Sequence, residues 1–248
     1  MKVTPIKTRP IKSNRQDIFQ ILNKAIAKLP AKSILVVTSK IIAIAQGRVV
    51  QDDKDKLIKQ EADFYLPRTK SKYNTSLTIK DSSLLPAAGI DASNSKGGFV
   101  LWPDQPQKAA NQIRAYLTKR FKKKNIGVII TDSTTRPLRW GTTGVSIAHS
   151  GFKALKDYRK TKDLFGYKMQ LTQANILDGL SAAAVVVMGE GRERTPLAII
   201  TELPFVTFQK RNPTQAELKQ LKIDIKDDLY LPLLKNAKWK KGKGGIII

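Results

Sequence analysis

The 248-residue chain contains no cysteine, and that absence removes disulfides, thiolate metal sites and Cys-His nucleophilic schemes. Any metal must be held by oxygen or by the single histidine, His149, which points to hard cations such as Mg²⁺ or Mn²⁺. With one imidazole, a Ser-His-Asp hydrolase would rest wholly on Ala148-His149-Ser150-Gly151. That segment follows an apolar stretch and suits a packed side chain better than a general base. Long apolar runs are missing as well. Met1 to Lys7 has no continuous apolar core after its basic residues, and Lys40 interrupts the stretch from Ile34 to Ala45. Neither a secretory leader nor a membrane span is expected, and the expected location is cytoplasmic.

Acidic residues are few: 20 Asp+Glu face 45 Lys+Arg, a formal net charge of +25. Such an excess attracts polyphosphate, which raises one reading outside enzymology, a non-catalytic nucleic-acid-binding protein. The lysines are spread along the whole chain, however. Their densest runs, Lys119 to Lys124 and Lys235 to Lys243, lack the interleaved aromatics of single-strand binders. Nucleic acid is therefore not the expected partner, and small anionic substrates fit the same charge.

What is present suffices for a folded core, since hydrophobic residues make up 41% of the chain. The pattern alternates helix and strand. A strand near Val3 to Ile6 precedes an amphipathic helix over Asp17 to Leu29, and Ser33 to Thr38 reads as a buried strand ending on the polar pair Ser39-Lys40. A polar helix is expected over Lys54 to Tyr65, a turn over Thr69 to Asn74 and a strand at Leu77 to Ile79. A surface helix follows over Gln107 to Lys122. Ile126 to Thr131 is the clearest buried strand. Thr143 to Ala148 and Leu197 to Leu203 read as strands, Thr172 to Met188 as a core helix and Thr214 to Leu221 as a late helix. Mixed elements without a fixed repeat make the fold class α/β or α+β. The chain divides into a main domain over residues 1–208 and a basic, peripheral tail over 209–248.

Three segments carry chemistry. In Gly89-Ile90-Asp91-Ala92-Ser93-Asn94 the carboxylate suits a hard cation and Asn94 a base or ribose, although an Asp-initiated turn bonding its own backbone fits the same residues. In Thr131-Asp132-Ser133-Thr134-Thr135-Arg136-Pro137-Leu138-Arg139, a carboxylate, hydroxyls and two guanidiniums follow a hydrophobic strand. That combination serves metal and phosphate together, with Asp132, Arg136 and Arg139 as candidate catalytic groups; a helix cap with surface arginines is the plainer alternative. Val187-Met188-Gly189-Glu190-Gly191 ends a helix on glycine. Gly189 is either a C-cap or part of a site in which Glu190 joins Asp91 and Asp132 around two metals. No Walker loop occurs.

Taken in order, these segments resemble the coenzyme F420-type γ-glutamyl ligase family. Its pattern includes Gly-Ile-Asp-x-Ser-Asn, Thr-Asp-(Ser/Thr)-x-x-Arg-Pro-x-Arg and Met-Gly-(Glu/Gln). The likeness runs from about Lys2 to Phe208 and takes in Val37-Thr38-Ser39-Lys40, Gln46-Gly47-Arg48, Trp102-Pro103-Asp104, Asp163 to Gly166 and Asp178 to Ala184. It implies an α/β ligase fold in an intertwined homodimer, GTP or ATP as nucleotide and two Mg²⁺ or Mn²⁺ ions. By motif, the implied metal ligands are Asp91, Asp132, Ser133 and Glu190. The implied nucleotide contacts are Arg9, Pro10, Ile11, Lys12, Ser39, Lys40 and Asn94, with Gly189 beside them.

The implied reaction adds L-glutamate to a carboxylate through an acyl phosphate. Two features depart from the family pattern. Ala43-Ile44 stands before Gln46-Gly47-Arg48 where Ser-Lys is usual, which leaves GTP and ATP both open. The opening Pro5-Ile6-Lys7-Thr8-Arg9-Pro10 and the indoles of Trp102 and Trp140 are closer to a bacterial branch assigned to folate metabolism. A folate-like acceptor is therefore the expectation, with the deazaflavin coenzyme as alternative.

Overall fold

The computed structural model describes residues 1–11, 17–68, 72–95 and 97–244. Its first half runs β1 (Lys2–Ile6), α1 (Ile18–Ala25), β2 (Ser33–Thr38), α2 (Ser39–Ala45), β3 (Val49–Val50), α3 (Lys54–Glu61), β4 (Phe64–Tyr65), β5 (Leu77–Lys80), β6 (Ser83–Pro86), β7 (Phe99–Val100) and α4 (Pro106–Phe121). The second half runs β8 (Ile126–Thr135), β9 (Thr142–Ser150), β10 (Leu155–Asp157), β11 (Gln173–Asn175), α5 (Ile176–Met188), β12 (Leu197–Thr201), α6 (Gln215–Lys219), α7 (Leu231–Asn236) and β13 (Lys240–Lys241). Among the described residues no helix is long and apolar enough to cross a membrane.

A five-stranded sheet in the order β1-β12-β2-β8-β9 forms the centre, with β2 and β8 parallel and the other pairs antiparallel. Of its three inner strands, the paired β2 and β8 are apolar over Ile34 to Val37 and Val128 to Ile130 because both faces are covered there. Leu35, Val37, Val128 and Ile130 pack with Leu22 and Ile26 of the α1 region and with Ile113 and Leu117 of α4. Ile34, Val36 and Ile129 point the other way, onto Leu177, Leu180 and Ala184 of α5. This period-two division puts the polar strand ends of β2 and β8 side by side, Thr38 opposite Thr131. A four-stranded sheet, β13-β4-β5-β6, lies in a second cluster with α3, built on Leu57, Ile58, Ala87, Ile90 and Leu101.

The mixed α/β class is as expected, and several boundaries shift for physical reasons. The first helix stops at Ala25, since Ile26 is already extended, although Ile26 and Leu29 remain buried. Helix α3 stops at Glu61, and Phe64–Tyr65 pairs with Ile79 and Thr78 as a strand. Residues 173–175 pair with Leu155–Asp157, so α5 begins at Ile176, capped by Asn175 and tied to β9 where Asp178 accepts bonds from Ser146 N at 2.9 Å and Ser146 Oγ at 2.8 Å. Asp132 to Thr135, expected as loop, continues β8. Polar side chains do not end a strand whose backbone finds a partner, and here β9 supplies it from Val145 to Thr142. The expected turn at Thr69 to Asn74 lies partly outside the described residues. Residues 209–244 contain no buried residue, and their last strand pairs Lys240 with Tyr65 and Lys241 with Phe64.

Candidate functional site

At the polar ends of β2 and β8 lies a cavity of about 810 Å³, into which four separated segments converge. Strand end and helix start give Thr38 and Lys40; the segment after Ala87–Gly89 gives Asp91, Ser93 and Asn94; β8 gives Thr131, Asp132 and Ser133; and the end of α5 gives Met188, Gly189 and Glu190. Thr8 to Ile11, beyond β1, close it on one side. Arg9, Pro10 and Ile11 thus line the cavity, whereas Lys12 lies outside the described residues. Ser39 is buried as the first residue of α2 and does not line the cavity.

Asp132 sits one residue past the buried run of β8. Burial pushes its carboxyl up to about 6, and the charge of Asp91 pushes the same way; a bond from Ser133 N to Oδ1 at 2.9 Å and one from Trp102 Nε1 to Oδ2 oppose the rise. Asp91 is half-exposed and shifts the other way. Burial would raise its carboxyl, but Lys40 Nζ at 2.5 Å from Oδ2 and the Ser93 donors outweigh it, so the value falls below the ordinary one. Ser93 N reaches Asp91 Oδ1 at 2.6 Å and Asn94 has φ of +56°, so the Asp-initiated turn is formed as well. The turn and the cavity use the same carboxylate.

Gly189 caps α5 with φ of +79°, a conformation that side chains disfavour, and turns the chain so that Glu190 accepts bonds from Ser133 Oγ at 3.2 Å and Thr142 Oγ1 at 3.3 Å. Gly189 is thus a C-cap that also lines the cavity. Among the described residues, no three carboxylates or imidazoles gather closely enough to ligate one ion. Asp91 interacts with Asp132, and Glu190 stands apart on Ser133.

The remaining candidates go elsewhere. Arg136 and Arg139 are exposed at the tip of the β8–β9 hairpin and line a second cavity of about 500 Å³ with Tyr73, Leu138 and Trp140. The two indoles divide: Trp140 is 78% exposed there, and Trp102 is core. His149 is buried on β9 against Phe152, and burial pulls its imidazole down to about 4. Sequence reasoning missed Thr8, Thr38, Thr131 and Arg192 to Thr195 as lining residues, together with Thr142 as a Glu190 partner. The signal for Thr38 and Thr131 was available, since each closes a buried apolar run just before a candidate residue.

A family model described as F420-0:γ-glutamyl ligase matches residues 64–202, more than half of the chain. A coenzyme F420:L-glutamate ligase of Methanocaldococcus jannaschii is 32% identical over 208 residues, covering 74% of this chain and 82% of that protein. The chain belongs to the F420-0:γ-glutamyl ligase family. Other similar proteins of the same name come from Methanococcus maripaludis, 36% identical over 157 residues, and Archaeoglobus fulgidus, 28% identical over 221 residues. The first match covers 63% of this chain and 59% of its relative, so the chain spans less than two thirds of that relative's length; the second covers 82% and 88%. Within the family-matched span fall Asp91, Asn94, Asp132, Ser133 and Glu190. The Arg9–Ile11 wall precedes it.

Proposed function

We propose that the protein is a cytoplasmic γ-glutamyl ligase that uses a nucleoside triphosphate to join L-glutamate to an acceptor carboxylate. One observation carries the reading: four segments far apart in the chain bring Lys40, Asp91, Asn94, Asp132, Ser133 and Glu190 to one cavity. The metal-ligating groups facing that cavity are carboxylate and hydroxyl oxygens, which fits hard cations such as Mg²⁺ or Mn²⁺. Asp91 and Asp132 would hold one cation, Ser133 and Glu190 would contribute to a second, and the ions would supply charge neutralisation at the γ-phosphate.

The chain's own residues do the rest. Lys40 and Arg9 offset phosphate charge, and Asn94 offers an amide to the base or ribose. The acceptor carboxylate attacks the γ-phosphorus and forms an acyl phosphate as the nucleoside diphosphate leaves. The amine of glutamate then attacks the acyl carbon, inorganic phosphate departs with the bonding electrons and takes up the proton the amine sheds, and an amide remains. Walls from separate segments hold the reactants together and keep water from the acyl phosphate.

The names of the relatives favour a deazaflavin acceptor over the folate-like one expected from the sequence departures, and either planar ring could stack on exposed Trp140. Exposed Leu164 and Phe165 support a homodimer in which a second copy covers them, and residues 209–248 are kept as a peripheral tail. The test is an assay with labelled glutamate, GTP or ATP, Mg²⁺ or Mn²⁺, and a deazaflavin or a folate acceptor. Glutamylated deazaflavin with stoichiometric phosphate release is the expected product. Product from folate alone reassigns the acceptor, and RNA binding without turnover sinks the enzyme.

A further inference from the structure

Trp102 lies beneath the cavity floor without lining it, 5% exposed, and its indole Nε1 donates to Asp132 Oδ2. Since Ser133 N holds Oδ1 at 2.9 Å, each carboxylate oxygen is fixed by a donor from a different position in the chain. Trp102 is itself held from two sides, at its backbone carbonyl and at its ring face. Arg48 Nε donates to the Trp102 carbonyl at 2.5 Å, and the Lys80 ammonium stands 5.6 Å from the ring centroid. Both cations converge on one carboxylate: Glu61 Oε1 is 2.7 Å from Arg48 Nη2, and Oε2 is 2.5 Å from Lys80 Nζ. Glu61 is only 3% exposed. Gly89 completes the setting, because with φ of +73° it lies against the indole so closely that a Cβ would overlap the ring. That overlap gives the glycine of Gly89-Ile90-Asp91 a purpose separate from the turn that follows it.

We propose that Trp102 is the positioning residue of Asp132, its indole N–H orienting the carboxylate toward the cavity and the buried Arg48–Glu61–Lys80 cluster holding Trp102 at its backbone carbonyl and its ring face. The proposal rests on the reading of Asp132 as a cation-binding carboxylate. A carboxylate at a strand end can rotate about its side-chain bonds; donors to both oxygens remove that freedom before any ligand arrives. The cluster thereby ties the smaller sheet, through α3 and β5, to a group on the central one.

Two measurements test this, and they fail separately. The chain has three tryptophans, so the apo protein gives three indole ¹H–¹⁵N signals, and the one missing from Trp102→Phe belongs to Trp102. That signal is expected downfield and slow to exchange, and it should move in Asp132→Asn and in Gly89→Ala while the other two stay. Trp102→Phe, which keeps a ring but loses the donor, should also bind Mn²⁺ about 10- to 100-fold more weakly by calorimetry without substrates. At saturating Mn²⁺ its KM for glutamate should match wild type. An indole signal unmoved by Asp132→Asn, or an unchanged Mn²⁺ affinity in Trp102→Phe, overturns the proposal. If wild type itself binds no Mn²⁺, the cation reading of the site falls, and the indole signal alone decides the positioning claim.

Discussion

The Lys40 ammonium lies 2.5 Å from Asp91 Oδ2 and also donates to Ser93 Oγ at 2.8 Å, so the start of α2 is fastened to the Asp91 turn across the cavity mouth. The side chains of the pair are 25% and 44% exposed, and such a half-solvated bridge contributes under about 1 kcal/mol to stability. Lys40→Met should therefore shift Tm by no more than a few degrees, while the KM for the nucleotide rises about 10-fold or more as a phosphate partner is lost. Initial-rate kinetics beside a thermal melt separate the two effects.

Asp132→Asn should have the opposite profile to an ordinary core substitution. Burial opposes the Asp132 charge, so a neutral side chain of the same shape relieves that cost, while its NH2 must face the Ser133 or Trp102 N–H and gives up one of the two bonds. The two effects oppose each other, so Tm is expected to move by no more than a few degrees, whereas turnover falls on the order of 100-fold or more. A variant that keeps its rate removes Asp132 from the site.

Glu61→Gln tests the buried cluster as a structural unit. It leaves Arg48 and Lys80 buried without a counter-charge, and burial already holds the Lys80 ammonium below its ordinary value. Breaking such a set from one side costs about 3–5 kcal/mol. Urea denaturation should register that loss, and a change below about 1 kcal/mol would show the cluster to be solvated in solution.

His149 predicts a pH effect on stability. Its folded value, about 4, lies below the ordinary 6.5 because burial penalises the imidazolium; Glu217 opposes this weakly. The unfolded chain thus takes the proton first, so the contribution is fully present above pH 6.5 and is lost as pH falls toward 4, about 3 kcal/mol in all. Carboxylates titrate in the lower part of the same range, so the comparison is with His149→Gln. The variant should lose distinctly less stability than wild type between pH 7.5 and 5.

How much was legible follows the physics of each segment. Ile126 to Thr131 announced itself because a strand covered on both faces must be apolar throughout, and the polar residues after it marked the site. That Asp132 to Thr135 stay in the strand was hidden, since their pairing depends on β9 and not on their own side chains. The same pairing carries Arg136 and Arg139 past the Asp132 cavity, which a reading based on nearness in sequence placed beside it. The capping box of Thr214 and Glu217 was readable from local chemistry alone and appears as a helix start. The Trp102 bond to Asp132 had no sequence signal, because no periodicity links residues joined only by tertiary packing.

The β8–β9 hairpin connects the two cavities without a joint. Ser133 borders one and Thr135 the other, on the same continuous ladder. At about 3.3 Å per residue, the backbone separates Asp132 from Arg136 by about 13 Å. The ribbon is in effect a ruler, and a molecule that touches both Trp140 and the carboxylates would be selected by its length.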